Sequence, residues 1–143
     1  MNQTNINILI ADDDEAIVDA TSIMLEALGH TVSQITDGTL ILENLKKKRP
    51  DLLLLDIWMS GVDGREICQQ IKQDPELLSI PVLMISASRQ IKESALSCGA
   101  DDFLAKPFEM MELVNKIESL TSLKLHKKPE NRNNNLLTPK CVS

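Results

Sequence analysis

The chain has 143 residues, enough for about one domain with a single well-filled core. Its composition is 43% hydrophobic, 25% charged and 2% aromatic, which is typical of a globular protein with an aliphatic core. The longest purely aliphatic run, residues 52–55, is far shorter than the roughly 18 apolar residues of a membrane span, and residues 1–10 lack the features of a signal peptide. The net charge of −6 disfavours direct binding to nucleic acid.

The three cysteines, Cys68, Cys98 and Cys141, are an odd number and lack the close spacing of a zinc site. This pattern indicates a reducing compartment, the cytoplasm. Residues 124–143 contain five of the 15 basic residues, one of the 21 acidic residues and three adjacent asparagines. We therefore predict a domain over residues 1–123, followed by a disordered, basic and asparagine-rich tail or linker over 124–143.

Short apolar runs alternate along the chain with segments of helical periodicity. In chain order, strands are predicted at 6–11, 32–35, 52–56, 82–86 and 103–105. A helix is predicted after each strand from apolar residues at helical spacing: Ala16, Ala20, Ile23, Met24 and Ala27; Leu40, Ile41 and Leu45; Ile67 and Ile71; Ile91, Ala95 and Leu96; and Met110, Leu113, Val114, Ile117 and Leu120. Gly29 is predicted to end the first helix. This alternation predicts an α/β fold, a doubly wound parallel sheet covered by helices on both faces.

Polar side chains stand where the predicted strands end. Asp12 and Asp13 follow the first strand, Asp56 ends the third, Ser86 ends the fourth, and Lys106 follows the fifth. Ligands of such sheets bind beyond the carboxyl ends of the strands. Converging carboxylates repel one another unless a cation lies among them, and oxygen ligands suit Mg²⁺ or Mn²⁺. Because a metal, a hydroxyl and an ammonium group together can hold a phosphoryl group, the sequence predicts magnesium-dependent phosphoryl chemistry.

Four segments, ILIADDDE, LLLLDIWMSGVDG, PVLMISAS and GADDFLAKPF, supply these strand ends in order. Together they resemble the receiver domain of bacterial two-component response regulators, over roughly residues 5–122. The resemblance implies a five-stranded, flavodoxin-like sheet of strand order 2-1-3-4-5. It also implies that Asp56 is the phosphoacceptor and that Mg²⁺ is held by Asp12, Asp13, Asp56 and the main-chain carbonyl of Trp58.

The resemblance assigns the other site residues to binding the phosphoryl group and to switching. Ser86 and Lys106 would bind the phosphoryl group, Phe103 would be the rotating aromatic residue, and the Lys106–Pro107 peptide would be cis. Phosphorylation would then change an output surface made of the fourth helix, the fifth strand and the fifth helix, which includes Lys92, Ala95, Phe103 and Lys116.

A sensor histidine kinase or a histidine phosphotransfer protein is the implied phosphoryl donor. The domain would catalyse only its own phosphorylation and dephosphorylation, so it is expected to be a signalling module rather than an enzyme. Its output would be a contact with a downstream protein, or an effector domain missing from this chain, since no effector domain follows residue 123. A homodimer through the output surface is also compatible with the resemblance, whereas neither nucleic acid nor a membrane is an expected direct partner.

Other functions remain open at this stage. Asp12 and Asp14 have the DxD spacing of aspartate phosphatases of the haloacid dehalogenase type, although the chain is short for that class and shows no cap domain. A degenerate receiver that serves only as a scaffold is disfavoured because all the site residues are present. The acidic residues 12–15 also suit a helix N-terminus, where the macrodipole favours negative charge; Asp14 and Glu15 are better explained in this way than as metal ligands.

Overall fold

The computed structural model describes residues 5–59 and 61–125, with side chains as far as Thr121. The strands of the main sheet are β1 (Asn7–Ala11), β2 (Thr31–Ile35), β3 (Leu52–Asp56), β4 (Val82–Ser86) and β5 (Asp102–Ala105). The α-helices are α1 (Glu15–Ala27), α2 (Ile41–Lys47), α3 (Gly64–Gln73), α4 (Lys92–Ser97) and α5 (Met110–Leu125). Strand and helix therefore alternate as the sequence predicts.

All five strands of the main sheet are parallel, in the order β2-β1-β3-β4-β5. This arrangement confirms the doubly wound, flavodoxin-like sheet. A separate antiparallel pair, Trp58–Met59 with Val62–Asp63, lies just beyond the carboxyl end of β3. None of the helices in the described part of the chain has the length and apolar content to cross a bilayer.

The centre of the sheet is buried on both faces. Every residue of β3 and β4 is buried. Alternate leucines of β3 point to opposite sides, so Leu53 and Leu55 join one core cluster while Leu52 and Leu54 join the other. Because the full burial of each such leucine contributes about 1.5–3 kcal/mol, this uninterrupted apolar run makes β3 the central anchor of both layers.

Helix α1 begins and ends at recognisable signals. The Asp14 carboxylate caps its N-terminus by accepting a hydrogen bond from the Ile17 N–H at 3.3 Å. At the C-terminus Gly29 has φ +100°, and the next N–H, that of His30, donates to the Leu25 carbonyl at 3.2 Å. This is a Schellman motif, in which glycine adopts the left-handed conformation without a steric cost.

The face on which α1 packs differs from the one that its apolar spacing favours. The buried residues are Val18, Thr21, Ser22 and Leu25, whereas Ala16, Ala20, Ala27 and Ile23 are exposed, the last by 69%. The apolar spacing therefore predicts the helix correctly, but most of the residues that carry it do not face the core. The small polar residues can be buried because the Ser22 hydroxyl accepts a hydrogen bond from the Gln34 side chain at 2.9 Å.

Three other boundaries are shifted by local geometry. Helices α2 and α4 are each preceded by a 3₁₀ turn, at Gly38–Leu40 and Arg89–Ile91, which leaves Leu40 46% exposed. Helix α5 continues to Leu125, two residues past the predicted end of the domain at 123. The rest of the predicted tail, from residue 126, lies outside the described residues.

Gly64 allows α3 to start directly against the end of β3. Its N–H donates to the Ile57 carbonyl at 2.7 Å. A Cβ atom at this position would lie 2.6 Å from the Asp56 carbonyl oxygen and 2.9 Å from Ile57 Cα. Since both neighbours are main-chain atoms next to the predicted phosphoacceptor, any side chain at position 64 must displace that segment.

We expect Gly64→Ala to lower the free energy of unfolding by about 1–3 kcal/mol, as in other overpacked sites. Helix propensity alone predicts the opposite sign, because alanine is favoured over glycine in a helix by about 0.5–1 kcal/mol. Urea denaturation of wild type, Gly64→Ala and the exposed control Gln69→Ala measures the difference. A Gly64→Ala protein as stable as the control variant would contradict the close approach.

Candidate functional site

The sheet order brings the predicted acidic residues to one edge. Strands β1 and β3 are neighbours, with Ala11 paired to Leu55, so Asp12 and Asp56 follow this pair side by side. Carboxylate oxygens of Asp12, Asp13 and Asp56 all lie within 4.8 Å of one another. Asp12 and Asp56 are 1% and 6% exposed, whereas Asp13 is exposed to solvent.

Lys106 brings a positive charge into this carboxylate group. Its Nζ lies 2.9 Å from Asp12 Oδ2 and 3.7 Å from Asp56 Oδ1. The Lys106 main-chain N–H donates to the Ser86 carbonyl at 2.8 Å, which ties the start of the loop after β5 to the end of β4. The Lys106–Pro107 peptide bond is cis. The four predicted residues Asp12, Asp13, Asp56 and Lys106 are therefore in one place.

The environment of Asp56 favours its protonated form. The pKa of this carboxyl group is raised from 3.8 to about 7, mainly by burial and then by the negative charge of Asp12. The Lys106 ammonium and a hydrogen bond from the Trp58 main-chain N–H act in the opposite direction but do not cancel the increase. Asp56 is therefore a carboxyl group whose ionisation depends on the positive charge nearby.

The donor set fits a hard divalent cation. Three carboxylates converge, and hard cations such as Mg²⁺ prefer oxygen ligands. The exposed position of Asp13 leaves one side of the group open to water, and Mg²⁺ usually keeps several waters in protein sites. The Trp58 main-chain N–H already bonds to Asp56, so residue 58 borders the site. The role of its carbonyl as a ligand stays a prediction.

Ser86 lies on β4, the neighbour of β3, and Phe103 lies on β5, the edge strand that pairs with β4. Ser86 is fully buried at the end of β4, and its hydroxyl accepts a hydrogen bond from the Ser88 N–H at 3.1 Å. Phe103 is 6% exposed and packs in the same core cluster as Leu53 and Leu55. In this conformation the Ser86 hydroxyl holds its own loop, and the Phe103 ring is inside the protein.

A groove of about 370 Å³ lies beside the carboxylates, between α1 and the loop after β5. Its lining is mostly apolar, and Lys106 forms part of the wall nearest the site. We call it the α1 groove; it includes Ile17, Ala20, Ala87, Pro107, Phe108 and Met110. The sequence pattern did not indicate this groove, because helical spacing alone does not show that Ala20 lies on the exposed side of α1. The small polar residues Thr21 and Ser22 lie on the buried side of α1, so the apolar residues at other positions of this helix can form a second, exposed apolar face.

Comparison with known proteins identifies the family. A sequence model of the response regulator receiver domain matches residues 8–118. Among curated proteins, the chain is 41% identical over 115 residues to a DNA-binding dual master transcriptional regulator, RpaA, from Synechocystis sp.. That match covers 79% of this chain and 48% of RpaA. The chain spans about half the length of several curated relatives that it matches.

Solved structures agree with this assignment. A response regulator from Chloroflexus aurantiacus superposes with a TM-score of 0.79 at 30% identity, covering 83% of this chain and 99% of that one. The receiver domain of sensor histidine kinase PA1611 from Pseudomonas aeruginosa, which has a magnesium ion coordinated in its active site cleft, gives a TM-score of 0.76 at 25% identity. It covers 83% of this chain and 99% of that domain.

The chain therefore belongs to the response regulator receiver domain family. Receivers are the phosphorylation-accepting domains of two-component systems, in which histidine kinases supply the phosphoryl group, and their role is signalling. The family resemblance read from the four sequence segments is confirmed. The acidic group found in this structure is the feature at which receivers bind Mg²⁺.

The raised pKa of Asp56 predicts how stability varies with pH in the absence of metal. The folded protein keeps this proton up to about pH 7, while the unfolded chain releases it near pH 4, so the unfolded state binds fewer protons between these values. The free energy of unfolding should therefore fall as pH rises across this window. In EDTA at pH 8 we expect Asp56→Asn to be more stable than wild type by about 1–3 kcal/mol.

The difference between Asp56→Asn and wild type should shrink at pH 5, where wild-type Asp56 is protonated in the folded state. Thermal or urea denaturation at the two pH values measures it, with Asp19→Asn as a control at an exposed aspartate. An Asp56→Asn stabilisation that is the same at pH 5 and pH 8 would contradict the assignment.

Proposed function

We propose that Asp56 accepts a phosphoryl group from a phosphohistidine of a sensor kinase or phosphotransfer protein, and that this modification switches the domain. One observation carries the proposal: the carboxylates of Asp12, Asp13 and Asp56 converge within 4.8 Å, and Lys106 reaches both buried members of that group. Asp12, Asp13, Asp56 and the main-chain carbonyl of Trp58 would hold Mg²⁺. Bound there, the ion would neutralise charge on the phosphoryl oxygens.

The transfer itself needs an ionised Asp56. A carboxylate oxygen of Asp56 forms a bond to phosphorus while the P–N bond to the donor imidazole breaks, and the electron pair leaves with the imidazole nitrogen. The Lys106 ammonium, 3.7 Å from Asp56 Oδ1, is placed to bind a phosphoryl oxygen. The product is an aspartyl phosphate. The domain thus catalyses its own modification and returns to its starting state by hydrolysis.

The new phosphoryl group would bias a two-state equilibrium. By analogy with other phosphorylated side chains it adds about −1.5 to −2 charges, which attract the Lys106 ammonium and the Ser86 hydroxyl. The Ser86 oxygen accepts from the Ser88 N–H, which leaves its own O–H available to donate to a phosphoryl oxygen, and Phe103 on the neighbouring strand β5 is the residue proposed to move in response. A shift from 1% to 99% of the active form requires a preference of about 5.5 kcal/mol.

The output surface combines α4, β5 and α5, and it includes Lys92 and Lys116; Ala95, expected on this surface, is fully buried, and Phe103 is 6% exposed. A groove of about 240 Å³ on this surface is lined by Phe103 together with Arg89, Lys92 and Lys116. We infer that it contacts a downstream protein, an effector domain or a second copy of the chain. Support comes from the direct contact of the groove with Phe103, the residue proposed to move.

The haloacid dehalogenase alternative requires Asp14 to act with Asp12. The Asp14 side chain instead caps α1, and it is not among the three carboxylates that converge. The family match over residues 8–118 also favours the receiver. That alternative also leaves Asp56 without a role, although its pKa is raised to about 7.

A first experiment tests the phosphoacceptor. After incubation with acetyl phosphate and Mg²⁺, we expect intact-mass spectrometry to show one labile phosphoryl adduct in wild type and none in Asp56→Ala or in EDTA. Asp14→Asn serves as a matched control and should keep the adduct. An adduct that survives in Asp56→Ala but disappears in Asp14→Asn would favour the phosphatase class, and no adduct from acetyl phosphate or a phosphohistidine donor would favour the scaffold.

A second experiment tests where the donor binds. The α1 groove includes Lys106 of the site, and Ala16 and Ile23 are further exposed apolar residues of α1, an arrangement that suits a helical donor that carries the phosphohistidine. We expect Ala20→Arg to slow transfer from a phosphohistidine protein by about tenfold, equivalent to about 1.4 kcal/mol of lost binding. Its reaction with acetyl phosphate should be unchanged.

Leu78→Arg is the control for this experiment. Leu78 is 48% exposed and precedes β4, at the opposite edge of the sheet from Asp56. Phosphotransfer followed with a labelled donor should be normal in this variant. Equal transfer rates in Ala20→Arg and Leu78→Arg would argue against docking at the α1 groove.

A further inference from the structure

Trp58 is exposed next to the site, yet its ring is held in place. Its side chain is 51% exposed, two residues after Asp56. The Arg65 guanidinium carbon lies 4.8 Å from the centre of the indole ring, within the range of a cation–π contact. An exposed indole would otherwise be free to change rotamer, so this contact defines the position of the ring.

Arg65 is itself fixed from two other directions. Its Nε and Nη2 donate to the two oxygens of the Asp63 carboxylate, at 3.0 and 2.7 Å. Its Nη1 donates to the Ser94 hydroxyl on α4, at 2.9 Å. A planar guanidinium with all of these contacts has one orientation, because its donors lie in a fixed fork. The group therefore joins Trp58, the start of α3 and α4.

Trp58 in turn reaches the reacting carboxylate through its main chain. Its N–H donates to Asp56. The segment just before it is rigid, because the Ile57 N–H bonds to the Ile85 carbonyl and its carbonyl accepts from the Gly64 N–H. The main chain at Ile57 is thus fixed by hydrogen bonds, whereas the Trp58 ring is held by its contact with Arg65.

We propose that Arg65 is a positioning residue that couples helix α4 to Asp56 through Trp58. A displacement of α4 withdraws the Ser94 hydroxyl, which loosens the hold of Arg65 on the indole and lets the Trp58 ring change its position next to the site. The coupling acts in both directions, as any linkage between two sites must. Since α4 belongs to the output surface, a partner bound there alters the phosphorylation rate of Asp56.

The bond to Ser94 separates this role from ordinary helix capping. Asp63 also caps α3 by accepting from the Arg65 N–H at 2.9 Å, so the Arg65–Asp63 pair alone would suffice to start the helix. Ser94 lies 29 residues further along the chain, on a different helix. A purely local cap has no need of that contact. The inference rests on the proposed phosphorylation of Asp56.

The test uses Arg65→Gln, Ser94→Ala and the conservative variant Ser94→Thr in the full chain. Trp58 is the only tryptophan and there is no tyrosine, so tryptophan fluorescence reports this ring alone. We expect acrylamide to quench Trp58 more strongly in Arg65→Gln and Ser94→Ala than in wild type. We expect both variants to react with acetyl phosphate about two- to fivefold more slowly, the range that loss of a cation–π contact would give.

Combined and control variants distinguish coupling from a general loss of structure. Arg65→Gln with Ser94→Ala should be no slower than Arg65→Gln alone, because both act through one contact. Ser94→Thr keeps the hydroxyl and should retain wild-type values. Arg49→Gln removes another arginine, whose partners are the Glu76 carbonyl and the Ser79 hydroxyl, and should also leave both readouts unchanged.

Wild-type values of quenching and rate in Ser94→Ala would overturn the coupling, as would a rate change without a change in quenching. If Arg65→Gln does not fold, the comparison of Ser94→Ala with Ser94→Thr decides the question. Failure of wild type to form an adduct on Asp56 would overturn the proposed function and the coupling together. An adduct formed at equal rates in all variants would overturn the coupling alone.

Discussion

Two carboxylates that are almost completely buried, Asp12 and Asp56, share the ammonium group of one lysine, Lys106, at 2.9 and 3.7 Å. Removing like charges from water is costly, and they remain ionised side by side only where positive charge compensates them. Lys106 provides one such charge, and the raised pKa of Asp56 shows that it is insufficient by itself. The site therefore lacks positive charge. A bound metal ion would supply that charge, and it would also neutralise the negative charge of an incoming phosphoryl group.

The rest of the fold places and seals this interaction. The leucines of β3 are buried on both faces of the sheet, and Asp56 is the last residue of the same strand. The Asp56 carboxyl group therefore lies where the apolar layer ends. Gly64 lets α3 begin against the Asp56 carbonyl, and the Ser86 carbonyl holds the main chain of Lys106. The contacts of Gly64 and Lys106 are made by the main chain. The backbone, rather than flexible side chains, therefore sets where the reacting groups lie.

The two sides of the site are chemically different. Toward α1 the surface is a mostly apolar groove in which Ala20 and Phe108 are accessible. Toward α4 the surroundings are polar, with Arg65 joined to Asp63 and Ser94. An apolar surface suits temporary contact with a donor protein, whereas directional hydrogen bonds transmit small displacements between helices. Donor binding and output can therefore lie on opposite sides of one carboxylate without competing for the same residues.

The sequence by itself determined the class of fold and the members of the site. The periodicity of apolar residues separates strands from helices. In a parallel sheet the carboxyl ends of the strands lie at one edge, so polar residues there come together, as Asp12, Asp56 and Lys106 do. Only the tertiary structure decided which face of α1 is buried, because both Ala20 and Thr21 belong to sets with helical spacing. Only the tertiary structure showed that Arg65 contacts Ser94. The two residues are 29 positions apart and on different helices, so their contact produces no periodic pattern in the sequence.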